Sequence, residues 1–116
     1  MKCLHIITPV KDSIDSTLET VKAIMESDIL VPFTYTVYND FSTEENTHRL
    51  EEAARQWNFR LVNLSDLTDH PSPNYLLVLQ TAQKEAIEAD AGLLIVESDV
   101  IVKKNTLQSL YNGALQ

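Results

Sequence analysis

Glu97 and Asp99 stand one residue apart, directly after the apolar run Gly92–Val96. A buried strand seldom ends in two carboxylates without a use for them. Two earlier segments carry acids in comparable places. "TPVKDS" (Thr8–Ser13) follows the first apolar run and holds Asp12, and "YNDFST" (Tyr38–Thr43) follows the second and holds Asp40. The glycines are Gly92 and Gly113, so the Gly-rich cradle of a P-loop and the dinucleotide fingerprint are both absent. Phosphates would have to be held by a cation or by side chains. The formal charge of −8 leaves no broad basic footprint for nucleic acid and makes anionic membrane surfaces poor partners. A phosphorylated ligand stays compatible with this charge if a bound cation offsets the repulsion.

Each of these residues also has a plain structural use. Glu97 and Asp99 suit the start of a solvated loop, and Asp40 suits a turn in which it caps its own backbone. Thr8 can serve the chain before Pro9, and Asn74 can assist a helix start. His5 falls inside an apolar run and is expected in the core. His48 and His70 have no metal-template spacing. The lone Cys3 excludes an internal disulfide and a thiolate zinc site.

The elements that must position these residues follow from hydrophobic period. "CLHIIT" is apolar and β-branched, as a strand buried on both faces requires. Ile14, Leu18, Val21 and Met25 then recur on one helical face, with Ser16 and Glu19 as a capping box at or near its start. "FTYTVY" (Phe33–Tyr38) reads as a second strand. Ser42 and Glu45 give another S-x-x-E signal before the stripe Leu50, Ala53, Ala54, Trp57. "FRLVNL" (Phe59–Leu64) reads as a third strand, and Ser65–Pro73 as a polar loop. Ser72 and Pro73 make an N-cap and first-turn pair for a helix through Leu76, Leu79, Ala82, Ala86 and Ala89. Gly92 stops that helix before the strand "LLIV", and Asn105 caps a last one. The alternation predicts a mostly parallel α/β/α, Rossmann-like three-layer domain. The expected strand order is 3-2-1-4, with ligands beyond the carboxyl ends of the strands. Its first apolar run lacks a cleavage site, and no run is long enough to span a bilayer. A cytoplasmic, reduced protein is expected.

Three segments, in order, carry a resemblance. "IITPVKDS", "VYNDFSTEENTHRLEEAA" and "PNYLLVLQTAQKEAIEADAGLLIVESDV" together resemble the N-terminal half of a family-2 glycosyltransferase with the nucleotide-diphospho-sugar transferase, or GT-A, fold. The resemblance implies a nucleotide-diphospho-sugar donor, with a UDP-sugar favoured, and a divalent cation, Mn²⁺ or Mg²⁺. It implies that Thr8 and Pro9 lie along the uridine, that Asp40 accepts from the pyrimidine ring nitrogen, and that Asn74 opens the helix beside the nucleotide. Asp99 resembles the last acid of the D-x-D motif, which holds the cation bridging the diphosphate. Glu97 stands where the first acid usually is and would face the ribose or the metal shell.

Three departures stand out. Glu97 replaces the usual Asp. Phe41 replaces the usual Gly after Asp40, so the turn there is not expected to be the most permissive one. In the family, the acceptor site and the base of inverting members come after the D-x-D region. Residues 1–116 are therefore expected to form a single nucleotide-sugar-binding domain, a truncated portion of a longer glycosyltransferase that completes no transfer alone. The side chains of Thr8, Asp40 and Asp99 are expected to open onto one cleft. The acceptor and the catalytic residues are left unassigned. A non-catalytic alternative is a receiver-like signalling domain or a scaffold. It is disfavoured by the isolation of Asp12, because a receiver needs an acid pair after its first strand.

Overall fold

The computed structural model describes residues 3–98 together with 108 and 112. Its elements run β1 (Cys3–Val10), α1 (Ile14–Met25), β2 (Phe33–Asn39), α2 (Glu44–Trp57), β3 (Arg60–Asn63), a 3₁₀ turn (Leu64–Asp66), α3 (Tyr75–Glu88) and β4 (Ala91–Ile95). The sheet has the order β3-β2-β1-β4, and every pairing is parallel. This is the predicted order. Asp99, Lys103, Lys104, Asn105 and the expected last helix fall outside the described residues.

Handedness explains the layers. From β1 to β2 to β3 the chain moves one way across the sheet, and right-handed crossovers put α1 and α2 on the same face. From β3 it returns past β1 to β4, so the same rule sends α3 to the other face. β1 feeds both layers by alternation. Leu4, Ile6 and Val10 pack with Val21 and Ile24 of α1 and Leu50 and Ala53 of α2. Ile7 packs with Tyr38, Leu64 and the α3 residues Val78 and Ala82. His5 is buried as expected. Trp57 is only half-buried, packed at the margin of the first cluster.

Helix ends depart from the sequence reading in a consistent way. α1 begins at Ile14, and Ser16 lies inside it with its hydroxyl donating back to the Ser13 carbonyl at 3.2 Å, so Ser16 and Glu19 are not a capping box. α2 is capped by Thr43, whose hydroxyl accepts from Asn46 N at 3.2 Å. Ser42 accepts instead from Asp12 N at 2.8 Å. α3 begins at Tyr75 with Asn74 at the cap position, leaving Ser72 and Pro73 outside the helix with a cis bond between them. The α3 stripe is Val78, Ala82, Ala86, while Leu76 is exposed. Gly92 does not stop α3. Asp90 does, in the left-handed region at φ 52°, and Gly92 pairs with Leu4 inside the sheet.

Candidate functional site

The carboxyl ends of β1, β2 and β4 share one edge, the edge to which α3 brings its N-terminus. The strand order reverses between β1 and β4: from β1 the chain runs on to β2 and β3 on one side and returns past β1 to reach β4 on the other, and such a switch point is where ligands bind in these sheets. Two tight turns build this edge. After β1 the chain passes through Asp12 at φ 62°, and after β2 through Phe41, also at φ 62°. The sequence reading did not expect a glycine-like turn at Phe41, yet the backbone adopts one. A non-glycine residue there costs about 1–2 kcal/mol. The Phe41 ring offsets that by packing on the Ile7–Tyr38–Val78 cluster, and the Lys11 ammonium donates to its carbonyl at 2.9 Å.

Asp12 ties the two turns together. Its carboxylate accepts from Thr43 N at 2.7 Å and from Asn46 Nδ2 at 3.1 Å. These bonds, with the Lys11 charge, hold its pKa below the ordinary value against a small desolvation cost. Asn39 braces the same region, donating to Thr47 Oγ1 at 2.8 Å and Asn63 Oδ1 at 2.9 Å and accepting from Ser42 N at 3.1 Å. An Asp12 spent on the entry of α2 leaves the receiver-like alternative without its acid.

Asp40 is the most constrained acid at this edge. It is 9% exposed. Ser72 Oγ and Asn74 N donate to Oδ2, and Asn74 Nδ2 donates to Oδ1, each at 2.8 Å. Burial pushes its pKa up, but the bonds from the Asn74 side chain, the Asn74 backbone and Ser72, with the Lys11 charge, outweigh it and hold the pKa below the ordinary value. The carboxylate is therefore ionised and fixed in orientation. A carboxylate has about four lone-pair positions. Oδ2 has two donors here and Oδ1 one, so Oδ1 keeps an acceptor direction for an incoming N–H.

Asn74 is held in turn. Its Nδ2 also donates to the His70 carbonyl at 2.9 Å, and its Oδ1 lies 3.2 Å from His70 Nδ1. Since Nδ2 is the donor in this geometry, Oδ1 is the acceptor and His70 carries its proton on Nδ1. Asn74 stands at the cap position that opens α3, but its side chain makes no cap bond to the helix and serves this clamp.

The other predicted residues are placed as follows. Thr8 is fully buried within β1, and its hydroxyl accepts from Tyr35 OH at 2.8 Å. Its side chain does not open onto a cleft, because alternation turns it toward the α1–α2 face. The residue as a whole, backbone included, has no exposed surface. Pro9 is half-buried beside Tyr38. Val96 N donates to Ile7 O at 2.9 Å, extending the β1–β4 pairing so that Glu97 emerges at the same edge, exposed. Thr20 of α1 donates to the Ser98 carbonyl at 3.1 Å, which fixes the backbone next to Glu97. No cluster of three His, Cys, Asp or Glu side chains suited to a metal ion occurs among the described residues, and Asp99 lies outside them. Ser72, Asp12, Asn39 and Lys11 were not singled out as site residues from sequence. Each has a partner 24 to 32 positions away, beyond any local pattern.

No family model and no curated protein matches the chain. Solved structures do. TarS of S. aureus (residues 1–349, in complex with UDP-GlcNAc) aligns with 97% of this chain at TM-score 0.64 and 23% identity. PcManGT, a mannosyltransferase from Pyrobaculum calidifontis in complex with GDP-Man and Mn²⁺, aligns with 91% at TM-score 0.68 and 18% identity. The glucosyl-3-phosphoglycerate synthase of Mycobacterium tuberculosis, in complex with Mn²⁺, UDP and glucosyl-3-phosphoglycerate, aligns with 99% at TM-score 0.64 and 16% identity. The chain has the GT-A fold. It spans 30%, 30% and 40% of the length of those three proteins. The GT-A neighbours thus match almost all of this chain with a minor part of their own.

Proposed function

We propose that the chain is the donor-binding portion of a glycosyltransferase that takes a sugar from a nucleoside diphosphate, with a UDP-sugar favoured. The observation that carries this reading is Asp40, an ionised carboxylate held by Ser72 and Asn74 with an acceptor direction left on Oδ1. Such a group accepts from the N3–H of uracil and repels the N3 lone pair of cytosine. The fold supports the reading, since structures of that fold hold UDP-GlcNAc, GDP-Man and UDP.

Glu97 and Asp99 would hold a divalent cation. Their carboxylate oxygens suit Mg²⁺ or Mn²⁺, and Glu97 is exposed, with no bond to another described residue. When bound, such an ion offsets the charge of two phosphates on a chain of charge −8 and stabilises a departing nucleoside diphosphate as a Lewis acid. Pro9, half-buried where Thr8 beside it is fully covered, would lie along the nucleoside, between Asp40 and the β4 acids. With no thiol pair to oxidise, a cytoplasmic location goes with this reading, as does the absence of any helix among the described residues long and apolar enough to cross a membrane.

Calorimetry with uridine, cytidine and UDP, with and without Mn²⁺, tests the assignment. Asp40→Ala should weaken uridine and UDP alike by about 1.5–3 kcal/mol, the size of a hydrogen bond to a charged group, and should abolish any preference over cytidine. Asp99→Ala should leave uridine untouched and remove the extra affinity that Mn²⁺ gives UDP. Equal losses for both ligands in both variants would contradict this division of roles.

A further inference from the structure

β4 is an edge strand. It pairs with β1 on one side, and among the described residues no strand pairs with the other. Its sequence, Ala91–Ile95, carries no charge and no proline, the devices that usually keep a free edge from pairing. Val96 N donates to Ile7 O, and successive residues of a strand present their N–H and C=O to opposite sides. Leu94 therefore bonds toward β1, while the N–H and C=O of Leu93 and Ile95 point to the free side.

α3 brings a second surface to that side. It packs across β1 and β4 and buries Val78, Ala82 and Ala86. Glu85, on one flank of this stripe, bonds Arg60 of β3 at 2.6 and 2.9 Å. At 3.6 residues per turn the opposite flank is Leu76, Leu79, Gln83 and Ile87, which is turned toward the free side of β4. Leu76 is 66% and Ile87 72% exposed. Single exposed apolar residues are ordinary, but these line up beside an unprotected edge. The flank is also uncharged, on a chain of charge −8 whose α2 exposes Glu44, Glu45 and Glu52. Two copies can meet here without repulsion.

A twofold axis beside β4 fits both surfaces. With Leu94 opposite its own copy, Leu93 of each chain exchanges bonds with Ile95 of the other, the regular antiparallel pattern. Because α3 lies over β1 and β4, strands about 4.8 Å apart set the two α3 helices about 10 Å apart, a helix-packing distance. The two helices run antiparallel. Centred between Thr81 and Ala82, their pairing puts Leu76 opposite Ile87 and Gln80 opposite Gln83. Leu79 then meets a hollow of about 360 Å³ bounded by Gln80, Gln83, Lys84 and Ile87. Four residues at this spacing form the hole that takes one side chain of a packed helix.

We propose that the chain forms a twofold dimer through the free edge of β4 and the Leu76–Ile87 flank of α3, joining two four-stranded sheets into one. It does not depend on the donor-binding reading, because Asp40 follows β2 on the far side of β1. Sedimentation equilibrium of the 116-residue chain should show a monomer–dimer equilibrium between about 10 μM and 1 mM. Leu76→Lys and Ile87→Glu should each weaken the dimer about tenfold or more, since each buries an unpaired charge. Both positions are exposed, so the variants keep the circular dichroism of the parent. The double variant sets opposite charges against each other across the axis and should return to within about threefold of the parent. The two positions are about 16 Å apart along one helix, so such a rescue acts between chains. In the dimer the Leu93 and Ile95 amides should exchange more slowly than in the monomer. The proposal is overturned if the chain stays monomeric at about 1 mM, as when the edge is kept for a further strand of a longer polypeptide. It is also overturned if Ile87→Glu dimerises like the parent, or if the double variant stays as weak as the single ones.

Discussion

Phe41 shows at the scale of one residue how the edge is paid for. Its φ of 62° is a conformation that favours glycine, and its ring is packed on the cluster under α3. Alanine at this position keeps the Cβ clash and loses the packing, whereas glycine loses the packing and the clash together. Phe41→Gly should therefore be more stable than Phe41→Ala by about 1 kcal/mol, even though glycine is the more flexible unfolded residue. Urea denaturation of the two variants checks this, and an alanine variant as stable as the glycine one would mean that the turn is not held left-handed. Asp40 depends on the same turn, because Phe41 directly follows it and Lys11 bonds the Phe41 carbonyl.

Among the elements, α2 is the one whose start organises the site. Its cap is Thr43, and the backbone N–H of that same residue donates to Asp12, so the first turn of α2 serves both the helix and the β1 loop. Thr43→Ala should cost about 1 kcal/mol of stability, the usual loss for a removed N-cap hydroxyl. Ser42→Ala acts on a different link. It removes the acceptor for Asp12 N without touching the cap. Thermal unfolding of the two single variants and the double variant should show that the losses do not add, because the two residues share Asp12 as a partner. Strict additivity would separate the cap from the loop.

For the whole molecule, acid is the vulnerable direction. Burial first, and the Arg60 charge second, lower the His5 pKa from its ordinary 6.5, with Glu85 acting the other way. The unfolded chain therefore takes this proton first, and stability falls as the pH drops below 6.5 toward the folded value. Glu85 has its pKa lowered chiefly by the Arg60 bonds, against burial; for Asp40 burial is the largest single effect and raises the pKa, but the bonds from Asn74 and Ser72 with the Lys11 charge together outweigh it and lower the pKa. Their contributions are complete above the ordinary carboxylate values and are lost as the pH falls through the folded ones. The urea midpoint should be highest near neutrality and decline in two stages. His5→Gln should remove the first, which sets in below about pH 6.5, and leave the second. A midpoint flat from pH 7 to 5 in the parent chain would contradict the buried, neutral His5.

The alternation of strands and helices, the parallel sheet and its order were legible in the sequence, because apolar period is a local signal and crossover handedness leaves few ways to assemble it. The edge that carries Thr8, Asp40 and Glu97 followed from the same logic. Helix starts were less legible: Ser16, Ser42 and Ser72 all look like caps locally, yet Ser42 and Ser72 are drawn to Asp12 and Asp40 across the fold. Gly92 looked like a stop, but strand pairing with Leu4 claimed it and Asp90 took the turn. What only the tertiary structure decided is which face each strand-end side chain takes and which polar groups meet. It turned Thr8 inward to Tyr35, clamped Asp40 to the entry of α3, and gathered His5, Arg60 and Glu85 from three different elements. Hydrogen-bond partners 24 to 34 residues apart leave no periodic trace in a chain, since such bonds depend on where the elements pack and not on what lies beside each residue in sequence.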